Sequence, residues 1–310
     1  MTGYLHMRLF PIFASFSVIL FMMFVGMSCC DGTQSTDTNT VYTRISPTNE
    51  WKIDHAVIVA DNLSESMAKF AEAGFNVVSG GEHEDNITHN ALIPFEDGSY
   101  LELFAPVDPA TAAGMRELVA SGTFDSALEG SDAMQKRFMQ HLAEGTGLKD
   151  FALSSPCINL SGVQVIAGQG GFVLEGPIGM SRERPDGVVV RWHVAVPVSG
   201  YSMCLPFLIA DDTPRSLRVP DGNLTSHPNG VSGIERIEIS ARYPAAVHSW
   251  YETVLQASPH YPSGSSTTYL LNGSSIMIRP TLENETEGLV RVVLRKGPGE
   301  AVGLEDIQEK

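Results

Sequence analysis

The sequence is poor in cysteine and in positive charge. Of its four cysteines two are adjacent, Cys29 and Cys30, which leaves Cys157 and Cys204 for the body of the chain. A dense disulfide framework is excluded; one Cys157–Cys204 bridge or two buried thiols are the alternatives. Lysine and arginine number 20 against 36 aspartates and glutamates, a net charge of −16, and no long basic run offsets it. The electrostatic footprint of a nucleic-acid binder is therefore missing. The glycines of AGQGG lack the strand-before-helix setting of a phosphate loop, and SGYSMC is not flanked as a nucleophile elbow, so neither a nucleotide site nor a hydrolase is supported. What is present is 43% hydrophobic residues in a chain of 310, enough for one large or two ordinary packed domains.

Residues 1–30 read as an export signal, not as fold. After Met7 and Arg8 comes LFPIFASFSVILFMMFVGMSCC, with a run of about seventeen mostly apolar residues ending at small residues and a cysteine pair. A bilayer span takes about 20 residues, so a cleaved or lipidated signal is expected over a permanent helix, with Cys29 or Cys30 as the lipidated residue. Residues 31–50 are polar and read as a tether. The chain is expected to be exported, as a secreted or periplasmic protein or as a lipoprotein touching the membrane only through its N-terminal signal or lipid anchor. Six Asn-x-Ser/Thr triplets begin at Asn62, Asn86, Asn159, Asn223, Asn272 and Asn284. They suit glycosylation in a eukaryotic secretory route or, more plainly, the capping of helices and turns.

From residue 51 a unit repeats. KIDHAVIVA reads as a strand, SESMAKFAEAG as a helix stopped by Gly74, and FNVVSGG as a second strand. HNALIPF and SYLELFAP then form a hairpin across Glu96-Asp97-Gly98, where glycine accepts the positive φ of a tight turn. The order is βαβββ over 51–106. Residues 107–147 hold two amphipathic helices and read as a connector. The same order recurs over 148–210 and, after a Pro/Gly-rich linker at 211–232, over 233–295, where a hairpin turns at Asn272-Gly273. Residues 296–310 read as a loose charged tail. Units about 85 to 100 residues apart exceed the usual solenoid period, so the fold class expected is α+β with modules that pair.

Two ionisable residues stand on apolar strand faces. Alternation groups His55 with Val57 and Val59, and Asp54 with Ala56 and Ile58; on the fourth strand Tyr100, Glu102 and Phe104 share a face. A buried carboxylate needs a cation, a metal or a donor beside it. If the first strand lies beside the fourth, His55 and Glu102 meet on one concave face, a good start to a divalent metal site.

The stretch IDHAVIVADNLSESMAKFAEAGFNVVSGGEHEDNITHNALIPFEDGSYLELFAP resembles the glyoxalase-like branch of the vicinal-oxygen-chelate superfamily, which includes glyoxalase I, extradiol dioxygenases and bleomycin-resistance proteins. The resemblance is strongest over 52–106 and continues through RPDGVVVRWHVAVP, LPFLIADDTP and HPNG. It implies a pair of βαβββ modules curving into a half-open barrel around a metal, to which the repeat pattern adds a third βαβββ-like module. It also implies metal ligands at His55 and Glu102, Glu102 being catalytic as well. The matching places are roughly Phe151 and Phe207 in the second module and Arg236 and Met277 in the third, none of them a usual hard-metal ligand. A third ligand would come from His89, His193 or His227; a hydrogen-bonded His–Glu pair lining a pocket is the competing reading. The expected ion is zinc, nickel, iron or manganese.

Around this pair, His89, Asn90, Tyr100, Arg184 and His193 are candidate substrate contacts. Arg182 and Arg184 in SRERPDG suit an anionic substrate, with a solvated turn as the alternative. His83 reads as a rim or loop residue, and of Trp192 and His193 only one can face the cavity. Two functions follow from the resemblance: a metal-dependent isomerase, lyase or dioxygenase acting on a small oxygen-rich substrate, or a non-catalytic small-molecule binder of the bleomycin-resistance type. A structural or interaction role is the third.

Overall fold

The computed structural model describes residues 50–83, 86–156, 158–260, 265–297 and 299–308. The expected leader, nearly all of the tether and Cys157 lie outside the described residues. The first module runs β1 (Lys52–Val59), α1 (Leu63–Glu72), β2 (Val78–His83), β3 (Thr88–Pro94) and β4 (Tyr100–Pro106). Asn62 caps α1 by accepting from the Glu65 N–H and donating to its carboxylate, a reciprocal box that starts the helix, and Gly74 ends it at φ +84°. The β3–β4 turn has Gly98 at φ +83°, with Asp97 accepting from the Ser99 N–H.

The connector contributes α2 (Pro109–Ser121), α3 (Phe124–Ala127) and α4 (Ala133–Glu144). The second module follows as β5 (Gly147–Ser154), α5 (Leu160–Gln169), β6 (Leu174–Glu183), β7 (Val189–Pro197) and β8 (Phe207–Asp211), and then α6 (Arg215–Arg218). The third is β9 (Val231–Ala241), α7 (Pro244–Val254), β10 (Pro259–His260), β11 (Thr267–Leu270) and β12 (Ser275–Pro280). β13 (Gly288–Lys296), β14 (Ala301–Gly303) and α8 (Leu304–Gln308) end the chain.

The first two modules pair and close. Their strands form a ring, β1-β4-β3-β2-β6-β7-β8-β5, in which β5 returns antiparallel to β1 and β6 lies antiparallel to β2. Each module's first and last strands are parallel neighbours, β1 with β4, β5 with β8 and β9 with β12, so the three units share one topology. The third module heads a separate sheet, β10-β11-β12-β9-β13-β14. Its apolar face, with Ile237, Ile239, Trp250 and Tyr251, joins the outward residues Ala56, Ile58, Leu101, Leu103, Phe151 and Leu153 of the barrel in one core. Burying each such large side chain contributes about 1.5–3 kcal/mol. The barrel interior is a second core, where Val57, Val59, Phe104, Trp192, Val194 and Phe207 meet Phe138, Met134 and Leu142 of α4. The connector thus closes one end of the barrel instead of packing on its outside. Arg218 and Val219, both buried, reach Tyr100 at the other end.

Three expectations need correcting. Asp54 does not share the Ala56 face, because a register shift between Ile53 and His55 bulges the strand and puts Asp54 on the side of His55. Phe151 packs outward; the residue that pairs with both His55 and Phe207 is Ala152, inside the barrel. The stretches read as linker and tail carry regular elements among their described residues. The first carries α6 and the buried His227, and the second pairs β14 with β13 and buries Leu304. Cys204 is a buried free thiol that donates to Glu287.

Candidate functional site

β1 and β4 are parallel with His55 beside Tyr100 and Val57 beside Glu102, so the imidazole and the carboxylate project into the barrel one step apart. The His55 Nε2 lies 3.3 Å from Glu102 Oε2. The other ring nitrogen, Nδ1, is 2.9 Å from Asp54 Oδ1. Tyr100 stacks on the ring at 4.5 Å, and Phe207 meets its edge at 5.4 Å. β3 and β2 bring two further polar residues to the same carboxylate. Asn90 donates to Glu102 Oε1 at 2.5 Å, and His83 Nε2 lies 4.0 Å from that oxygen while its Nδ1 meets Thr88 Oγ1 at 2.9 Å. Beyond Asn90, the Arg182 guanidinium donates to its Oδ1 at 3.0 Å. Below His55, Arg218 donates to both Asp54 oxygens, at 3.1 and 3.2 Å, and to the Tyr100 hydroxyl at 2.8 Å, and Arg215 also donates to Asp54. The rest of the interior wall, from β6 to β8, is largely apolar, with Ile178, Met180, Trp192, Val194, Phe207 and Ile209.

Every member of the cluster except Arg215 is at most 6% exposed, so the charges are decided by one another. Burial works against ionising Glu102, but the His55 hydrogen bond, the His55 and His83 charges and the Asn90 amide outweigh it and hold its pKa at about 2. Burial likewise opposes the imidazolium of His55, and the hydrogen bonds to Asp54 and Glu102 overcome it, raising its pKa. Asp54 is held well below the carboxylate range, because Arg218 and Arg215 outweigh burial. Burial pushes the Tyr100 phenol up, so it stays a neutral hydroxyl. A cavity of about 230 Å³ opens between α4 and strands β2, β3 and β6, lined by His83, Thr88, Gln135, Phe138, Met180 and Ser181 among others. A wider cleft of about 900 Å³ lies elsewhere, between α1 and the end of the chain, with Asp61, Glu65, Lys69 and Lys296 on its rim.

Residues 53–255 match the family model described as a glyoxalase-like domain. The chain belongs to the glyoxalase-like domain family. Among solved structures, the glyoxalase-like fold is shared with a hypothetical protein from Staphylococcus aureus at a TM-score of 0.60 and 19% identity, covering 76% of this chain and 88% of that one. A Mn(II)-bound glyoxalase from Novosphingobium aromaticivorans aligns at a TM-score of 0.41 and 10% identity, over 77% of this chain and 64% of that one. No curated protein matches the chain.

A metal suggested by the glyoxalase-like family can be tested against these donors. His55 and Glu102 converge, and Asp54 orients the imidazole through Nδ1 as carboxylates do behind metal-bound histidines. No group of three His, Cys, Asp or Glu that could hold an ion occurs among the described residues, whereas a catalytic metal takes about three protein ligands. The positions in the second module that could supply another, Ala152 and Ile209, carry no donor. The donor set stops one short.

None of the three histidines expected as a further ligand lies in the cup. His89 alternates with the buried Thr88 and Asn90 and so faces outward. His193, opposite in facing to Trp192, is on the barrel exterior against Asp212 at 2.8 Å. His227 is locked between the Asn76 N–H and the Pro94 carbonyl, at 2.9 Å each, and ties residues 222–230 to the first module. Arg184 pairs with Asp186 at the turn after β6 and donates to the Leu217 carbonyl, outside the cup. Asn90 and Tyr100 do lie beside Glu102 and His55. After His55, the histidine nearest Glu102 is His83, which the sequence reads as a rim or loop residue. Alternation from Ile178 through Met180 marks Arg182 as inward-facing, a signal already present in the sequence. Nothing in RSLR marks Arg218.

Proposed function

We propose that this glyoxalase-like protein is exported and binds a small molecule inside its barrel, in the manner of a binding protein and not of a metalloenzyme. The observation that carries this reading is the double role of His83, which lines the 230 Å³ cavity and stands 4.0 Å from Glu102. A ligand in that cavity therefore meets the polar wall directly. The cavity is smaller than the roughly 300–1,000 Å³ of sites for drug-sized ligands, which suits a compact molecule. Proton-transfer chemistry is poorly served, because a carboxylate held at about 2 is a weak base near neutral pH and each of its oxygens already has a partner, His55 on one and Asn90 on the other. The apolar leader and cysteine pair support export with lipidation at Cys29 or Cys30, and the net charge of −16 favours a small ligand over nucleic acid.

Two measurements test this. Equilibrium dialysis of the full chain against zinc, nickel, iron(II) and manganese should find no stoichiometric ion that depends on both His55 and Glu102. One equivalent lost in both His55→Ala and Glu102→Gln would restore the lyase, isomerase or dioxygenase reading. A small-molecule thermal-shift screen should give hits that disappear in Ser181→Trp, which fills the cavity. Mass spectrometry of the mature N-terminus decides whether a lipid sits on Cys29 or Cys30.

A further inference from the structure

Helix α4 borders two separate cavities. Its residues Asp132, Gln135, Phe138 and Met139 line the 230 Å³ cavity described above. On another face of the helix, Ala133, Lys136, Arg137 and Gln140 line a cleft of about 500 Å³ between the connector helices and the ends of β6 and β7. The cleft shares no lining residue with the cavity.

The cleft combines apolar walls with charge. Val119 of α2, Phe124 of α3, Val196 and Val198 at the end of β7, and Met203 beyond it form its apolar lining. Val119 and Val198 are 43% and 46% exposed, and Val173, whose carbonyl accepts from the Val198 N–H, is 63% exposed. Exposed apolar groups gathered at one place, unlike singly scattered ones, mark an interaction site. Four charged side chains also line the cleft, and two of them are committed within the protein. Arg137 is held by Asp150 and by the Ser202 and Leu205 carbonyls. Glu175 accepts from the Ala133 N–H at 2.9 Å and so offsets the positive end of α4. Asp125 and Lys136 are left. Among the described residues neither makes an ion pair, with the other or with a third residue. An occupant of this cleft must therefore answer one anionic group, one cationic group and an apolar wall. The volume lies within the roughly 300–1,000 Å³ of small-molecule sites.

We propose that this cleft is a second binding site, independent of the cavity inside the barrel, and that its ligand is a small zwitterion with an apolar body, such as a dipeptide of large aliphatic residues. Its ammonium meets Asp125, its carboxylate meets Lys136, and its side chains lie against Val119, Phe124 and Val198. A neutral apolar molecule leaves both charges unanswered, and a simple anion or cation leaves one.

The test is an NMR titration of the full chain with leucyl-leucine, its N-acetyl derivative, its C-terminal amide, and glycylglycine. Leucyl-leucine should bind about threefold more tightly than either derivative, the strength of a partly exposed ion pair. It should bind at least about tenfold more tightly than glycylglycine, which carries the same charges without the apolar body. Asp125→Asn should abolish the preference over the acetyl form and keep that over the amide, and Lys136→Gln should do the reverse. Asp125 is exposed and Lys136 half-buried, so both variants should fold. Ser181→Trp should leave all of these affinities unchanged, which separates a failure of this site from a failure of the cavity inside the barrel. Equal binding of the three leucyl forms, preferences that ignore the two charge variants, or no binding of any form overturns the assignment. So does a dimer that Val198→Asp splits into monomers in light scattering, since a second copy of the chain would then cover the cleft.

Discussion

Two buried aspartates on the antiparallel pair β1 and β5 carry the same company and do different things. Asp54 is held by Arg218 and by the Nδ1 of His55. Asp150 is held by Arg137 and by the Nε2 of His141, at 2.6 and 2.8 Å. Around Asp150 the remaining bonds run to backbone: Arg137 donates to the Leu205 and Ser202 carbonyls and the Phe151 N–H donates to Asp150. The other nitrogen of His141 has no hydrogen-bond partner and lies 3.9 Å from Glu144 of its own helix. That network stops, and it fastens α4 to the barrel. Around Asp54 the other nitrogen of His55 reaches Glu102, which passes on through Asn90 to Arg182. Identical residue types thus form a closed anchor where the histidine's second nitrogen leads no further than its own helix, and part of an extended network where it reaches a second carboxylate.

The comparison can be strained by removing each carboxylate. Asp150→Ala leaves the Arg137 charge buried with only the Ser202 and Leu205 carbonyls as acceptors and should cost about 3–5 kcal/mol, the range for breaking a buried pair from one side. Asp54→Ala should cost about 2–3 kcal/mol, less because Arg218 keeps Asp211 and Arg215 is partly exposed. Thermal or urea unfolding of the two variants checks the order; a larger loss for Asp54→Ala would mean that the cup, not the α4 anchor, is the main strut of the barrel.

A pH series sharpens the contrast. Glu102 has its folded pKa depressed from 4.5 to about 2. The stability it supplies is therefore present above about 4.5 and is lost as pH falls from there through about 2. Glu102→Gln should flatten that stretch of the stability curve. His55 and His141 are both raised, each against burial, His55 by its two hydrogen bonds and His141 by Asp150. Their contributions are whole below about 6.5 and fade as pH rises through their folded values. Histidine NMR titration should show both titrating above the ordinary range, and ligand should move His55 far more than His141.

The smallest effect belongs to the third module. There Arg236 and Met277 stand at the register positions of His55 and Glu102, and the Arg279–Glu285 pair is partly exposed. Glu285→Gln should change stability by about 1 kcal/mol, as partly screened pairs do, and leave ligand binding untouched.

Much of this architecture is readable in the amino-acid sequence. Strand alternation, the Asn62 cap, Gly74 and the turns at Gly98 and Gly273 are local signals, and local signals fix where elements begin and end. The pairing of His55 with Glu102 is also legible, since both sit among apolar neighbours on strand faces that alternation assigns to the interior. The bulge at Asp54 was not, because a register shift is a property of two strands and not of one. His227 misled for a related reason: HPNG resembles a motif, but its imidazole is consumed by Asn76 and Pro94, some 150 and 133 residues away.

The sequence by itself determined three βαβββ units, their glycine and asparagine punctuation, an acidic chain unsuited to nucleic acid, and one histidine and one glutamate on strand faces meant for the interior. Periodicity and capping act within a few residues, so they are written in the chain. Only the tertiary structure decided that modules one and two close into a ring while the third heads a sheet of its own, that α4 plugs the barrel, and that Arg182, the register partner of His83, makes no ion pair among the described residues. Those outcomes depend on which strand edges meet and which charges are left over once the core is packed, and both are settled between segments far apart in sequence.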